Sequence, residues 1–131
     1  MPAKDIFHDC VKRALIKDGW TITDDPLSLK IGKKDLFIDL AAEKMLMAER
    51  GTEKIAVEIK SFVGTSEVED LKNALGQYVL YEKIIKRQLL HRTLYLAIRE
   101  TTYNTGLFHF PVCSFVHLRG YEVLGCMKTR F

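Results

Sequence analysis

The stretch that decides the fold is Ile55-Ala56-Val57-Glu58-Ile59-Lys60-Ser61-Phe62. Side chains of a β-strand point alternately to its two faces, so this pattern predicts a strand with one aliphatic face. The opposite face carries Ala56, Glu58 and Lys60, which places an acid and a base side by side. The apolar flanks indicate a central, buried strand.

Helix and strand patterns surround this stretch. The 3.6-residue period of apolar positions predicts a helix over residues 4–18. Ser66 and Glu69 have the spacing of a capping box, so a long helix is predicted to begin at Ser66. Alternating or apolar runs predict strands at 20–23, 27–31, 36–42, 94–98 and 121–126, and residues 43–50 suggest a short helical excursion.

The order of these elements predicts the fold class. The strand–helix–strand unit over residues 55–98 predicts that its two strands pair in parallel. We therefore expect an α/β fold with a mixed central sheet flanked by helices. No linker rich in Pro, Gly or Ser divides the chain, so residues 1–131 are expected to form one domain.

Composition restricts the function classes. Apolar residues make up 47% of the 131 residues and charged residues 28%, the balance of a globular protein and not of a disordered chain. No apolar run approaches the roughly 20 residues of a spanning helix, and the N-terminus lacks the apolar core of a signal peptide. We expect a cytoplasmic protein without membrane association. The three cysteines form no C-x-x-C pair, so a zinc knuckle is not supported.

Asp39, Glu58 and Lys60 form the candidate functional site. Asp39 is expected on a non-aliphatic face of the preceding strand, beside Glu58. Buried charges are costly without compensation, and a divalent cation would supply it. Mg²⁺ takes oxygen ligands, commonly one or two carboxylates together with substrate phosphates, and the Ile59 carbonyl offers a further oxygen. Lys60 would orient a water or stabilise charge on a phosphate.

A simpler interpretation is a surface ion pair between Glu58 and Lys60, since Glu-x-Lys is common in strands. The apolar flanks and the nearby Asp39 favour the functional interpretation. The same pattern recurs at Asp70-Leu71-Lys72, but there it falls on the predicted long helix, where residues two apart point in different directions. Only the strand copy is predicted to bring acid and base together.

Gln77 and Tyr81 lie four residues apart on the long helix and share a face. If this helix packs over the sheet, Gln77 can hydrogen-bond near the site and Tyr81 can support it. The alternative is an ordinary polar helix flank.

The end of the long helix carries a basic group that would contact DNA phosphates and make binding salt-dependent: Lys83, Lys86, Arg87, His91 and Arg92. The alternative is cations favoured at this position by the helix dipole. Lys30, Lys33 and Lys34 flank the turn before Asp39, where they would either line the same cleft as the candidate site or be solvated.

Asp39, Glu58-Ile59-Lys60 and Gln77-x-x-x-Tyr81 together resemble the core of the PD-(D/E)xK nuclease superfamily. Within it the chain is similar to the fdxN element excision controlling factors of cyanobacteria, the XisH type. Roughly the first three-quarters of the chain carry this resemblance, in the segments 4–8, 14–20, 37–40, 55–62 and 74–78.

The resemblance implies a restriction-endonuclease-like domain with Mg²⁺ or Mn²⁺ bound by Asp39, Glu58 and Ile59. It implies catalytic roles for Asp39, Glu58, Lys60 and Gln77. On the first helix, His8 corresponds to a position where relatives carry Glu near the metal, so His8 and Tyr81 are supporting candidates.

Two functional hypotheses follow. The first is a metal-dependent DNA endonuclease that takes part in the excision of a DNA element. The second is a non-catalytic accessory protein that binds DNA, a site-specific recombinase or a second small excision-control protein. A homodimer is expected in either case. The segment 106–131 lacks the long alternating final strand expected of the family.

Overall fold

The structure, a computed structural model, describes residues 6–47, 51–62, 66–88, 91–103, 113–118 and 121–126. Three helices and eight strands follow one another along these residues: α1 (His8–Lys17), β1 (Thr21–Asp24), β2 (Leu27–Ile31), β3 (Lys34–Ile38), β4 (Leu40–Met47), β5 (Gly51–Ile59), α2 (Glu67–Arg87), β6 (Thr93–Arg99), α3 (Glu100–Tyr103), β7 (Cys113–Leu118) and β8 (Tyr121–Cys126).

Six of the strands form one mixed sheet in the order β1-β4-β5-β6-β8-β7, and β2 and β3 form a separate hairpin. β5 and β6 are parallel, with Glu58 beside Leu96, and α2 is the crossover between them. The predicted parallel pair is therefore confirmed. The other neighbours in the sheet are antiparallel, so the chain has the mixed α/β fold that was expected.

The two faces of β5 belong to two different cores. Ile55, Val57 and Ile59 pack with α1 on one side of the sheet. Ala56 packs on the other side with α2, with the β2–β3 hairpin and with the buried side chains of β6. Leu96 and Ile98 of β6 are fully buried, and burying a side chain of this size contributes about 1.5–3 kcal/mol. The alternation predicted for residues 55–60 thus separates an α1 face from an α2 face.

The long helix begins where its capping box predicts. The Ser66 hydroxyl accepts a hydrogen bond from the Glu69 N–H at 3.3 Å, which satisfies one of the free donors of the first turn. The buried face of α2 is centred on Ala74, Tyr78, Tyr81, Ile84 and Ile85. Val68 and Val79 lie off this buried face and are exposed.

Two other predictions are wrong. Residues 36–42 do not form one strand, because the chain bends at Asp39. Ile38 therefore faces the α2 core while Leu40 faces the α1 core. Residues 43–47 are not helical, because they continue β4, which pairs with both β1 and β5. These pairings outweigh the weak helix preference of the local sequence. Residues 48–50 lie outside the described part.

The predicted strand at Tyr121–Cys126 is confirmed as β8, which lies between β6 and β7. Within the described residues, no helix has both the length and the apolar character needed to cross a membrane.

Candidate functional site

Asp39 lies at the bend that joins the hairpin to the six-stranded sheet. Leu40 pairs with Val57 in the antiparallel β4–β5 ladder, so extending that register by one residue places Asp39 across from Glu58. The Asp39 carboxylate Oδ2 accepts a hydrogen bond from the backbone N–H of Ile59 at 2.7 Å. A side-chain oxygen thus accepts the hydrogen bond of this backbone amide at the point where the regular ladder of β4 ends.

Glu58 belongs to the α2 face of β5 and is one of the few buried charged residues, with 7% of its surface exposed. Ala56 precedes it on this face, and Leu96 is its neighbour on β6. Burying a carboxylate costs several kcal/mol unless other groups compensate the charge. The sequence places this residue in the core, where a purely structural strand would carry an aliphatic side chain.

Lys60 follows Glu58 by two residues and is half-buried. Its backbone N–H donates to the carbonyl of Ala97 at 3.0 Å, so the pairing of β5 with β6 extends one residue past Ile59. This bond holds the backbone of Lys60 against the central strand. By strand alternation its side chain belongs to the Glu58 face.

Tyr81 connects α2 to this pair of carboxylates. Burial raises the pKa of its hydroxyl, and the negative charges of Glu58 and Asp39 raise it further, to about 12. Both carboxylates therefore act on the same hydroxyl. At neutral pH Tyr81 remains protonated and can donate a hydrogen bond. α2 therefore places Tyr81 near the two carboxylates, and its supporting role stays a prediction.

Gln77 has a different environment from Tyr81. It lies one helical turn earlier on α2, and its side chain is exposed whereas Tyr81 is buried. The structure thus brings the half-buried Asp39 near the buried Glu58 and Tyr81, with Gln77 on the solvent side of the helix. A role for Gln77 remains a prediction.

His8 is buried on α1, and its Nε2 lies 2.7 Å from Oδ1 of Asp25. The Lys12 ammonium donates to Oδ2 of the same carboxylate, also at 2.7 Å. Burial alone would raise the pKa of Asp25, but the hydrogen bonds and charges of Lys12 and His8 outweigh it and hold that pKa below its usual value. His8 therefore has a structural partner, which accounts for its burial without a metal.

Sequence reasoning missed the cluster of His8, Lys12 and Asp25. His8 and Lys12 are four residues apart on one helix face, which was a usable signal. Asp25 lies in the connection between β1 and β2, and no local pattern predicts that this connection folds back onto α1.

Phe62 marks the end of the strand segment that carries the candidate site. Its φ is 53°, a left-handed conformation that is unusual for a bulky residue and costs about 1–3 kcal/mol. Its side chain is buried in the α2 core, which stabilises this conformation. Because β5 ends at Ile59, this conformation lies just beyond the strand, two residues after Lys60.

The oxygen atoms at this site suit a hard divalent cation that takes only a few of its ligands from the protein. Mg²⁺ is commonly bound by one or two carboxylates, with water and substrate phosphate as the remaining ligands, and Asp39 and Glu58 supply two. The N–H and C=O of a strand residue point to the same neighbouring strand, so the Ile59 carbonyl faces the side on which its N–H meets Asp39. Among the described residues, no group of three or more His, Cys, Asp and Glu side chains could hold a metal ion.

Comparisons with known proteins agree on one family. The family model described as XisH protein matches residues 1–121. The crystal structure of an XisH family protein from Nostoc punctiforme PCC 73102 is 45% identical, with a TM-score of 0.69, and the match covers 82% of this chain and 80% of that one.

The crystal structure of an fdxN element excision controlling factor protein from Anabaena variabilis is similar at 44% identity, with the same TM-score of 0.69 and the same coverage of 82% and 80%. No curated protein matches the chain. The match to the family model spans most of the chain, and both solved relatives exceed 40% identity over four-fifths of it. The chain therefore belongs to the XisH family.

Proposed function

We propose that this protein is an excision controlling factor for a DNA element and that it hydrolyses phosphodiester bonds with Mg²⁺ or Mn²⁺ at Asp39 and Glu58. The excision role is supported by the name of the relative from Anabaena variabilis. The hydrolytic role rests mainly on one observation, the hydrogen bond that holds Asp39 against the Glu58-Ile59-Lys60 segment.

The topology supports a restriction-endonuclease-like fold of the PD-(D/E)xK type. An antiparallel β4–β5 pair is followed by a long helix and a strand parallel to β5. Asp39, at the bend before β4, and Glu58-Ile59-Lys60, at the end of β5, lie at one end of this antiparallel pair. This is the placement that the sequence resemblance implies for the motif.

Each residue of the site has a role in this proposal. Asp39, Glu58 and the Ile59 carbonyl would hold the cation, which when bound polarises a phosphate and lowers the pKa of water. The Lys60 ammonium would stabilise the charge that develops on the phosphate and orient the attacking water. The neutral Tyr81 hydroxyl would donate a hydrogen bond beside the carboxylates, and Gln77 would contact substrate from the solvent side of α2.

Cleavage of supercoiled plasmid DNA in the presence of Mg²⁺ tests this proposal. Wild type should nick or linearise the plasmid, whereas Glu58→Gln and Lys60→Ala should not. Lys72→Ala is a matched control, because Lys72 belongs to the second Asp-x-Lys copy and lies exposed on α2, and it should cleave as wild type does. Absence of cleavage by wild type on supercoiled, linear and single-stranded DNA would contradict the hydrolytic proposal.

The second candidate is a non-catalytic accessory protein that binds DNA, a recombinase or a second small excision-control protein. One observation favours it: within the part of the chain that the structure describes, no third carboxylate joins Asp39 and Glu58, and Asp39 also has a structural hydrogen bond. This candidate predicts that Glu58→Gln supports normal excision in cells. The hydrolase proposal predicts that excision is lost in this variant.

We also propose a homodimer, which size-exclusion chromatography with light scattering would show as a mass of about twice the 15.1 kDa chain.

A further inference from the structure

Positive charge is concentrated on two short segments of the chain. Residues 30–35 and 82–87 together contain six basic and two acidic residues. Their net charge of +4 exceeds the +3 of the whole chain, so the remaining residues carry no net positive charge. A cluster of positive charge on one surface indicates a polyanion partner more strongly than the net charge of the chain does.

The fold brings these two segments together. The end of β2 and the turn after it face the last turns of α2 across a groove of about 540 Å³. Lys30, Lys83 and Arg87 line it. The Gln88 side chain donates to the Lys30 carbonyl at 2.6 Å and ties the two walls together. The groove is therefore formed by residues more than 50 positions apart in the sequence.

The charges lining this groove are poorly neutralised. Among the described residues, no carboxylate lies within 4 Å of the Lys83 ammonium or the Arg87 guanidinium. Lys30 pairs with Asp35 at 3.1 Å, but both side chains are largely exposed, and such pairs contribute little. A polyanion would thus meet two cations, Lys83 and Arg87, that have no described carboxylate within 4 Å, and a third, Lys30, in a weak exposed pair.

The groove also lies on the side of the sheet that carries the candidate site. The hairpin that forms one wall leads directly into Asp39. The helix that forms the other wall carries Tyr81, whose pKa is raised by burial and by the negative charges of Glu58 and Asp39. A chain of phosphates in the groove would therefore be bound by the same two elements that frame the carboxylates.

We propose that this groove binds the phosphodiester backbone of a nucleic acid, with Lys30, Lys83 and Arg87 contacting phosphates. The inference rests on the proposed function in that DNA is the partner, and it adds the surface that DNA would occupy. Ile31 and Leu80 give the groove partly apolar walls, with exposures of 44% and 42%. An acidic protein segment is therefore the competing occupant.

Fluorescence anisotropy with a labelled DNA duplex, in EDTA and over a series of salt concentrations, tests the proposal. Each phosphate contact adds about 0.9 to the slope of log K against log salt. Lys83→Ala combined with Arg87→Ala should weaken binding and lower the magnitude of the slope by about 1.8.

Arg13→Ala combined with Lys17→Ala is the matched control. It also removes one Arg and one Lys four residues apart, from exposed positions of α1 on the other side of the sheet. It should leave the slope unchanged. Equal losses in the two double variants, or no salt-dependent binding by wild type, would overturn the proposal. So would displacement of the duplex by poly-glutamate as effectively as by unlabelled DNA.

Because EDTA excludes metal-dependent cleavage, this experiment is independent of the plasmid assay. Binding without cleavage would remove the hydrolase and leave the groove assignment intact. If wild type cleaves the plasmid but the Lys83→Ala, Arg87→Ala double variant binds DNA as wild type does, the groove assignment would be removed and the hydrolase would stand.

Discussion

The carboxylate of Asp39 accepts a hydrogen bond from the backbone N–H of Ile59 at 2.7 Å. This contact joins the bend between two sheets to the end of the central strand that carries Glu58 and Lys60. It fixes one carboxylate beside another that is buried, and both act on Tyr81. This bond, together with the β4–β5 register, therefore sets the position of Asp39 in the candidate site.

Replacing Asp39 tests the strength of that bond. Asp39→Ala and Asp39→Asn both remove the charge beside Glu58, but only Asn keeps an oxygen that can accept from Ile59. We expect Asp39→Ala to be less stable than Asp39→Asn by about 1–3 kcal/mol, the cost of leaving an amide without its acceptor. Urea unfolding measures the difference, and equal stability of the two variants would show that the bond contributes nothing.

Tyr81 should titrate near pH 12. Its pKa is raised above the ordinary 10.0, so the folded state favours the protonated hydroxyl. The stability from this group is complete below pH 10 and is lost as the pH rises through about 12. In Tyr81→Phe this alkaline loss should be smaller. Absorbance at tyrosinate wavelengths should show one late-titrating tyrosine fewer in that variant, with Tyr95, whose pKa is also raised by burial, still present.

The neighbouring carboxylates provide a second check on Tyr81. In Glu58→Gln the tyrosine should titrate at lower pH than in wild type but still above 10.0, because burial is the larger cause of its raised pKa. A Tyr81 titration that is unaffected by this substitution would place Glu58 outside the site.

Asp25 should make the fold sensitive to acid. Its pKa is held below the ordinary 3.8 by Lys12 and His8, so its contribution to stability is present above pH 3.8 and is lost as the pH falls through the lowered pKa. Asp25→Asn should lower stability at neutral pH by about 1–3 kcal/mol and flatten the acid limb of the stability profile. Urea unfolding between pH 2 and 7 measures both, and an unchanged acid limb would contradict this assignment.

Tyr78 should contribute through its hydroxyl as well as its ring. The hydroxyl donates to the Leu94 carbonyl at 2.9 Å in the buried interface between α2 and β6. Tyr78→Phe keeps the ring and should cost about 1 kcal/mol. Val79→Ala, at the neighbouring exposed position, should change stability by less than about 0.5 kcal/mol. Thermal or urea unfolding of the pair separates the buried bond from a general effect on the helix.

Local periodicity accounts for what could be predicted from the sequence. The two-residue period of β5 is a property of neighbouring residues, so the shared face of Glu58 and Lys60 followed from it. The Ser66 cap is similarly local, and so is the parallel crossover that α2 makes. Asp39 was expected beside Glu58, but as part of a continuous strand, whereas a bend places it there.

What could not be predicted depends on distant contacts. Period alone shows that Gln77 and Tyr81 share a helix face, but the position of the sheet decides that only Tyr81 is buried. Residues 43–47 look helical in isolation, and their pairing with two strands overrides this. His8 was expected to support the metal site, and its hydrogen bond to Asp25, 17 residues away in the sequence, could not be predicted from any local pattern.

The central claim is that Asp39 and Glu58 bind one divalent cation, and isothermal titration calorimetry with Mn²⁺ and Mg²⁺ tests it most directly. The account predicts one ion per chain for wild type, with binding lost in both Asp39→Asn and Glu58→Gln. Asp25→Asn, which removes a carboxylate bound to His8 and Lys12, should bind the ion as wild type does. No binding by wild type, or equal binding by wild type, Asp39→Asn and Glu58→Gln, would contradict the claim.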